Sequence, residues 1–468
     1  MKKLLPLLRQ YKREGILGPL CKLIEAVFEL FVPLVMARII DIGVKNADQG
    51  YVLRMGGLMV LLCAVGLLSA LVCQYFAARA SQGFGTILRN KLFAHIGGFS
   101  HAELDRFGAP TLVTRITSDV NQLQLAVAMF IRLAVRAPFL IIGAVFMAMT
   151  INAKLSLIFL AAAACIALVL YAVMSRSIPF YALVQKMLDR VSHLTRENLS
   201  GTRVIRAFSR QNQQKERFAQ ANDGLTAAAA RAGRLSALLN PVTLLIINTA
   251  IIAILWFGNG SFKSGDLKQG ELIALINYMT QILLALVVVA NLAVLFSRAS
   301  ASAKRVNEVL ETKPTVVSPI APVSQKENAP AVEFRDVSFR YGQDEDDLTH
   351  ISFKLWPGQV MGLIGGTGAG KSTLVHLIPR FYDATGGNVL VRGVDVRAYP
   401  LAQLRAGVGI AAQRVELFSG TVRDMMLFGN ENATDEQIWA ALQAAQAADF
   451  VRERGGLPAE ILPGGRNF

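Results

Sequence analysis

Long apolar runs with very few charges dominate the first two thirds of the chain. Six of them approach or exceed the roughly 20 residues that an α-helix needs to cross a bilayer. They cover residues 16–40, 55–78, 128–150, 155–174, 241–257 and 272–296. The pattern predicts an all-α membrane domain of six transmembrane helices within residues 1–310.

The connections between these runs predict an orientation. Residues 176–234 contain 11 Lys and Arg, and the connection between the second and third runs is also basic, whereas the other three connections are short and nearly neutral. Basic loops are retained on the cytoplasmic side, so both termini and both long connections are predicted to be cytoplasmic. Apolar residues recur at three- and four-residue steps in the long connections, which predicts helices that extend beyond the membrane.

The pattern changes after residue 310. Residues 311–331 are rich in Pro and Ser, which is typical of a linker, and from Val332 onward apolar and polar residues alternate as in strands. Residues 332–468 are therefore predicted to form a partial α/β domain. We expect strands at 332–339, 351–355, 359–365 (buried, leading into a glycine loop) and 387–396, and helices at 371–382 and 434–454, the last with Thr434 as its N-cap.

Composition and charge agree with a membrane protein. The chain is 53% hydrophobic and 17% charged, with a mean hydropathy of +0.42, which excludes an ordinary soluble enzyme. Its net charge of +15 comes entirely from residues 1–310, where basic residues exceed acidic ones by 18, since acidic residues exceed basic ones by 3 in the rest. No basic stripe is interleaved with aromatics, so no nucleic-acid partner is expected.

The four cysteines and the N-terminus carry no further chemistry. Cys21, Cys63, Cys73 and Cys165 lie in apolar runs at spacings that fit neither a metal site nor a redox pair. The start, "MKKLLPLLRQYKRE", has too short an apolar patch for a cleavable signal peptide. We expect a basic cytoplasmic tail there.

A glycine-rich segment carries the most specific chemical signal. It satisfies the G-x-x-x-x-G-K-[ST] pattern, in which glycines allow backbone N–H groups to surround phosphates. Lys371 is predicted to reach the β- and γ-phosphates of ATP, and the Ser372 hydroxyl to bind Mg²⁺. The predicted nucleotide-binding residues are Gly365, Gly366, Thr367, Gly368, Ala369, Gly370, Lys371, Ser372 and Thr373.

Six spans, helical extensions and a C-terminal phosphate loop together resemble the ATP-binding cassette (ABC) exporters, in particular a half-transporter of the bacterial multidrug-exporter type. Supporting segments are "RFYDATGGNVLVRGVDV", "LFSGTVRDMMLFG", "GAPTLVTRITSDVNQLQ" and "ENLSGTRVIRAFSRQ". The resemblance implies a homodimer or a heterodimer with another half-transporter in the bacterial inner membrane. It also implies ATP-driven export of small amphipathic or hydrophobic compounds.

The resemblance assigns further roles. Tyr341 matches the aromatic residue that stacks on adenine, and Gln413 matches the glutamine that contacts Mg²⁺ and senses the membrane domain; Ala412 stands where the family usually has Pro. Residues 104–110 and 206–217 match the two coupling helices. Without the resemblance, Tyr341 is interpreted as a core aromatic, Gln413 as an ordinary glutamine, and both segments as solvated helix faces.

Several polar residues keep two interpretations. Asn277, Gln281 and Asn291 share one arc of the last span, where they line a translocation cavity or join helices together. Glu25 and Glu29 are predicted either to attract cationic substrates or to be solvated at the membrane interface. The acidic run 344–347 is interpreted as a solvated loop.

The family's remaining catalytic motifs do not follow the segment "AEILPGGRNF". These are the signature S-G-G-Q, the second acidic strand and the switch histidine, for which His376 in the phosphate-loop helix is no substitute. We therefore expect a truncated exporter subunit that binds ATP better than it hydrolyses it. The alternatives are a non-catalytic, ATP-binding regulatory partner of a complete sister subunit, and a non-functional truncated product.

Overall fold

The structure, a computed structural model of the chain, describes residues 2–263, 267–342, 346–413 and 417–467, without the side chains of Lys2 and residues 260–263. The chain divides into two compact units, Met1–Thr315 and Val316–Phe468. We call them the membrane unit and the nucleotide unit and describe each separately.

The described part of the membrane unit is helical throughout. It begins with a 3₁₀ helix, Lys2–Tyr11, and contains turns of π-helix at Ile39–Val44, Arg115–Asp119 and Phe130–Ala134. Its α-helices are α1 (Lys12–Arg38), α2 (Gln49–Gly97), α3 (His101–Phe107), α4 (Ala109–Thr114), α5 (Val120–Met129), α6 (Arg136–Ile151), α7 (Ala153–Ser200), α8 (Thr202–Ala207), α9 (Gln211–Ala237), α10 (Leu239–Lys263) and α11 (Gln269–Glu311).

Among the described residues, five helical stretches are long and apolar enough to cross a membrane, and they contain five of the six predicted spans. The remaining predicted span, 16–40, forms α1, but Lys22, Glu25 and Glu29 interrupt its apolar character. Length and composition alone therefore do not confirm the count of six. The five stretches are Gln49–Gly97, Ala109–Ile151, Ala153–Ser200, Gln211–Asn259 and Gln269–Glu311.

The predicted helical extensions are confirmed. Helix α2 has 49 residues, about 70 Å at 1.5 Å per residue, which is more than twice the hydrocarbon thickness. Asp48 caps its start by accepting a hydrogen bond from the Tyr51 amide. Asn152 caps α7 by accepting from the amides of Lys154 and Leu155, so each long helix begins at a residue suited to satisfy its free N–H groups.

One core of the membrane unit lies where α1, α6, α7, α10 and α11 meet around the fully buried Tyr278. The Tyr278 hydroxyl donates to the carbonyl of Leu30 at 2.6 Å. The end of α1 meets the start of α11 at Gly270, whose amide donates to Asp41 Oδ1 at 2.7 Å. A Cβ at residue 270 would collide with the carbonyl oxygen of Ala37, so glycine permits this approach.

A second core joins α2, α5 and the last turns of α11 through residues such as Leu88, Leu123 and Val306. The buried carboxylate of Asp119 lies beside it and accepts hydrogen bonds from Arg305, including one from Nε at 3.0 Å. Arg115 donates to the same carboxylate at 3.1 Å. A buried charge with two cationic partners is stabilised by hydrogen bonds that offset its desolvation.

The nucleotide unit contains an antiparallel four-stranded sheet in the order β2-β1-β3-β4 and a smaller part built on the pair β5-β6. Phe334 of β1 lies between Phe353 of β2 and Val389 of β3. The strands are β1 (Val332–Phe339), β2 (Leu348–Leu355), β3 (Gly386–Val391), β4 (Val394–Asp395), β5 (Gly420–Thr421) and β6 (Glu460–Ile461). The α-helices are α12 (Lys371–Leu377), α13 (Leu401–Ala406), α14 (Val422–Leu427), α15 (Asp435–Ala444) and α16 (Ala448–Glu453), with 3₁₀ turns at Val396–Ala398 and Pro463–Gly465.

The prediction of a buried strand at 359–365 is wrong. No ladder includes this segment among the described residues, and Val360 and Ile364 are 98% and 100% exposed. The segment has strand-like composition, but a strand forms only when a neighbour accepts and donates its backbone hydrogen bonds. Consequently the described sheet is wholly antiparallel, unlike the α/β arrangement that the sequence predicts.

The other local predictions hold, some with different bounds. The strands at 332–339, 351–355 and 387–396 form, the last interrupted by a turn at Gly393. The helix predicted at 371–382 ends at Leu377, ahead of Pro379, which has no backbone N–H to continue the helical hydrogen bonds. The helix predicted at 434–454 begins after the Thr434 cap and breaks near Gln446, which has a φ of 56°.

Candidate nucleotide-binding site

The glycine loop has a backbone that only glycine readily adopts. Gly368 and Gly370 have φ values of +87° and +76°, in the left-handed region where other residues are strained. A Cβ at residue 370 would also lie 2.7 Å from Leu348 Cδ2. Gly368 and Gly370 are therefore required by the loop's geometry, and Gly370 also by its contact with β2.

Lys371 lies over this loop. Its Nζ donates to the carbonyl oxygens of Gly365 and Gly366 at 2.7 and 2.6 Å. Helix α12 begins at Lys371 with no side chain capping its first amides, so these N–H groups are available to an acceptor. A cation beside uncapped amides on an open loop fits the phosphates of ATP.

Ser372 is exposed in the first turn of α12, next to the lysine. Its hydroxyl oxygen is the kind of hard ligand that Mg²⁺ accepts. The described residues contain no cluster of three or more His, Cys, Asp or Glu that could hold a metal ion. Mg²⁺ would therefore depend on nucleotide phosphates together with Ser372, which is how this cation commonly binds.

Tyr341 lies next to α12. Its hydroxyl donates to Thr373 Oγ1 at 3.3 Å, and its ring makes perpendicular contacts with Phe339 and Tyr382, at centroid distances of 4.8 and 5.1 Å. Its amide donates to Asp347 Oδ2. Although its neighbours fix the ring, the residue remains 41% exposed, so it can offer an aromatic surface beside the loop; adenine stacking stays a prediction.

Gln413 forms no hydrogen bond with residues 365–373 within the described part of the chain. It is exposed and follows residues 408–412, which belong to no helix or strand. Its predicted contact with Mg²⁺ stays untested. Of the acidic run, Asp344 and Glu345 lie outside the described residues, as do residues 264–266 of the fifth connection.

The first predicted coupling segment, 104–110, overlaps the short helix α3. Ser100 caps α3 together with Glu103, and the buried Glu103 carboxylate also accepts a hydrogen bond from the Thr315 amide at 3.1 Å. Burial raises the pKa of Glu103, but hydrogen bonds from Ser100 and Thr315 outweigh burial and lower that pKa below its ordinary value. The helix is thus tied to the chain that follows α11.

The second predicted coupling segment, 206–217, begins at the end of α8. A turn at residues 208–210 separates α8 from α9, and Ser209 in that turn has a φ of 53°. Phe208 and Val204 are 72% and 60% exposed. An exposed apolar turn between helices suits docking, and the coupling role stays a prediction.

A polar cluster inside the membrane unit is the main feature that the sequence reasoning missed. Arg136 donates to Glu29 at 2.5 Å, and Lys22 donates to Glu25 at 2.6 Å. These side chains are partly buried between α1 and α6. Glu25 and Glu29 are therefore paired with cations, and solvation at the interface is a wrong interpretation of both.

A simple signal would have identified this cluster. Arg132 and Arg136 are one helical turn apart in the apolar run 128–150, and Glu25 and Glu29 have the same spacing in 16–40. Opposite charges in two adjacent spans are expected to pair, because an isolated charge in lipid is costly. Pairs of matched spacing thus predict that α1 and α6 are neighbours.

The three polar residues predicted to share one arc of the last span have different surroundings in the structure. Gln281 reaches the carbonyl of Glu29 at 3.5 Å, while its Oε1 is buried without a hydrogen-bond partner among the described atoms. Asn277 is exposed and bonds to the Ile273 carbonyl of its own helix, and Asn291 is exposed. Gln281 joins helices, and cavity lining by the two asparagines stays a prediction.

Two family profiles match the chain. The profile for the ABC transporter transmembrane region covers residues 16–286, and the profile named ABC transporter covers residues 348–466. Together they account for the membrane unit and for the part of the nucleotide unit that contains the glycine loop.

Similar proteins agree with the profiles. An uncharacterized ABC transporter ATP-binding protein of Mycobacterium tuberculosis is 38% identical over 99% of this chain and 81% of its own. An ATP-dependent lipid A-core flippase of Syntrophus aciditrophicus is 28% identical over 96% of this chain and 75% of its own.

A solved bacterial Atm1-family ABC exporter with ATP bound has the same fold. Its TM-score is 0.77 at 20% identity, over 98% of this chain and 81% of the other. The phosphate loop, the helical membrane unit and these matches lead to one conclusion. The chain belongs to the ABC transporters, with an exporter-type membrane region followed by the ATPase domain of that family.

Proposed function

We propose that the chain is one half of a dimeric exporter of the bacterial inner membrane, with six spans and both termini in the cytoplasm. In this proposal ATP with Mg²⁺ binds at residues 365–373 and drives export of amphipathic or hydrophobic compounds. The observation that carries it is Lys371 lying over an open glycine loop, 2.6–2.7 Å from two loop carbonyls, in a chain whose described part includes five helical stretches suited to cross a membrane.

Each group of the loop has one task in this mechanism. ATP supplies the phosphoryl group whose transfer releases energy. Lys371 exchanges its bonds with Gly365 and Gly366 for bonds to phosphate oxygens, and the α12 amides hold the same oxygens. Ser372 offers its hydroxyl to Mg²⁺, and Tyr341 offers a ring surface to the base.

The membrane unit supports the proposed substrate class. Many of its large apolar side chains are exposed, which suits compounds that partition into lipid. The 28% identical lipid A-core flippase supports a lipid-type amphiphile, and multidrug-type compounds have the same amphipathic character.

Nucleotide binding tests the site. Lys371→Ala removes charge-assisted hydrogen bonds worth about 1.5–3 kcal/mol, so the affinity of the purified full chain for Mg-ATP should fall about ten- to a hundredfold. Isothermal titration measures this change. Lys326→Ala, an exposed lysine of the same unit, should leave the affinity unchanged. Equal affinities for the three proteins would contradict the assignment.

Transport tests the function separately. Inside-out membrane vesicles that contain the chain within a complete dimeric transporter should accumulate a fluorescent amphiphile when Mg-ATP is added, and vesicles with Lys371→Ala should not. Accumulation that is the same without ATP would contradict ATP-driven export even if nucleotide binding is confirmed. Chemical cross-linking of the same vesicles tests the dimer.

A further inference from the structure

A cavity at the N-terminal end of the membrane unit has no role in the nucleotide site. Its volume is about 660 Å³, and the 3₁₀ helix Lys2–Tyr11, the start of α1, and parts of α2, α5 and α11 surround it. Leu4, Leu8, Phe84, Phe130 and Phe296 are among its lining side chains. We call it the N-terminal cavity.

The lining of the N-terminal cavity is apolar apart from two cations. Apart from the Tyr11 hydroxyl, Arg9 and Lys12 supply the polar side-chain groups of the lining, and both are exposed at the rim. The nearby acidic groups are engaged elsewhere, since Glu14 pairs with Arg79 at 3.4 Å and Glu311 with Lys3 at 2.5 Å. Within the described part of the chain, neither Arg9 nor Lys12 forms an ion pair.

Two glycines shape this cavity. Gly83 allows the Tyr11 ring to lie against α2, because a Cβ at residue 83 would collide with the Tyr11 hydroxyl. Gly15 lines the cavity directly, and a Cβ added there meets nothing within 4 Å. The cavity is therefore open at Gly15 and closed by a fixed aromatic ring at Tyr11.

We propose that the N-terminal cavity binds one anionic phospholipid, with an acyl chain in the apolar space and the phosphate at Arg9 and Lys12. This rests on the proposed cytoplasmic N-terminus, because anionic lipids of the cytoplasmic leaflet attract basic residues near the membrane surface. Basic residues over an apolar cleft between membrane helices match both parts of such a lipid. The volume lies within the usual range of ligand cavities, roughly 300–1,000 Å³.

The chemistry favours a lipid over other occupants. In a bilayer an open apolar space is in contact with acyl chains, each buried CH₂ of which adds favourable transfer free energy. A soluble anion alone would leave the apolar lining unused, and a zwitterionic lipid would lose the attraction of the two unpaired cations. The anionic lipid satisfies both the lining and the rim.

Lipid retention by the purified full chain tests the proposal independently of ATP. The chain, in a neutral detergent, is incubated with phosphatidylglycerol, phosphatidylcholine or glycerol phosphate, and bound molecules are counted by native mass spectrometry. Phosphatidylglycerol should remain bound at one molecule per chain and well above phosphatidylcholine, and glycerol phosphate should not remain. Raising the salt concentration should weaken phosphatidylglycerol retention, because salt screens exposed charges.

Two variants separate the charged rim from the apolar space. Arg9→Gln with Lys12→Gln should lower the affinity for phosphatidylglycerol about thirtyfold, since each basic residue near the membrane surface strengthens binding of an anionic lipid about fivefold. Gly15→Leu should lower retention of both lipids by filling the cavity, at a position where added atoms meet no neighbour and where leucine is the better helix former.

Matched controls complete the experiment. Arg210→Gln with Lys215→Gln removes two exposed charges from another cytoplasmic segment, and Gly56→Leu adds the same side chain at another open helical position. Both should retain phosphatidylglycerol like the parent chain. Equal retention of the two lipids, retention of glycerol phosphate alone, or wild-type behaviour of Gly15→Leu would each overturn the proposal.

Discussion

Two sites in this protein, one in each unit, treat unfavourable groups in opposite ways: the surroundings of Asp119 and the segment 359–365. The membrane unit buries charge, as at Asp119, and surrounds it with cationic partners, Arg305 and Arg115. The nucleotide unit exposes apolar side chains, as at Val360 and Ile364, which are 98% and 100% accessible.

The two kinds of group differ in how much free energy of folding depends on them. A buried carboxylate that loses its partners keeps its desolvation penalty, so its neighbours are essential to the unit that contains it. A fully exposed valine or isoleucine buries no area in the described fold and contributes almost nothing to it. The comparison predicts that mutations at the charges of the membrane unit have large effects and that mutations at 360 and 364 have small ones.

Asp119→Asn should have the largest effect. It leaves Arg305 and Arg115 without their shared carboxylate. Breaking a buried ion pair from one side costs about 3 kcal/mol or more, and the lower value is expected here because Arg305 is 41% exposed. Denaturant unfolding of the full chain, followed by the loss of helical circular dichroism, measures this loss. Asp223→Asn, at an exposed aspartate of α9, is the control and should change stability by less than about 0.5 kcal/mol.

The cluster between α1 and α6 should give the next effect. Arg136→Gln leaves the partly buried Glu29 unpaired and should lower the free energy of unfolding by about 1–3 kcal/mol. Adding Glu29→Gln should recover part of that loss, because the double variant has no orphaned charge. A double-mutant cycle in which the two changes simply add would show that the residues are not coupled.

Glu103 should make the stability of the protein depend on pH in the acidic range. Its folded pKa lies below its ordinary value of 4.5, so its contribution is complete above that value and is lost as the pH falls through the lowered pKa. Glu103→Gln should cost about 1 kcal/mol at pH 7 and should reduce the decline in stability below pH 4.5. Melting temperatures of both proteins across pH 3–7 test this, and parallel curves would contradict it.

Val360→Ser with Ile364→Ser should have the smallest effect, less than about 0.5 kcal/mol, since neither side chain is buried. Unfolding of the full chain, monitored by tryptophan fluorescence, measures it. Val337→Ser, at a fully buried position of β1, is the contrasting control and should be strongly destabilising. If the exposed pair costs as much as Val337, the contrast between the two sites fails.

The sequence predicted helices better than strands for a physical reason. An α-helix satisfies its backbone groups within its own segment, so the apolar runs and their caps, such as Asp48 and Asn152, determine α2 and α7 locally. A strand depends on a neighbour whose position is set by the rest of the chain. Residues 332–339 found such neighbours in β2 and β3, but 359–365 did not.

The candidate site was likewise only partly predictable from the sequence. The loop, Lys371 and Ser372 follow from a motif in which the spacing of the glycines, the lysine and the serine is the one that phosphate binding requires. The positive φ values of Gly368 and Gly370 agree with that role. The position of Tyr341 beside Thr373 depends on how β1 packs against α12, so pattern alone does not supply it. Gln413 follows residues that belong to no helix or strand, and its distance from the loop depends on contacts that a motif does not encode.

The junction at Gly270 has a mechanical consequence. Because its amide is bonded to Asp41 and its missing Cβ lets α11 touch the backbone of α1, the two helices share one pivot at the end of the unit opposite the N-terminal cavity. Tyr278, bonded to Leu30 about two helical turns further along, adds a second fastening. Because the two helices are joined at two points along their length, we expect the first half of α11 to move together with α1 as one body.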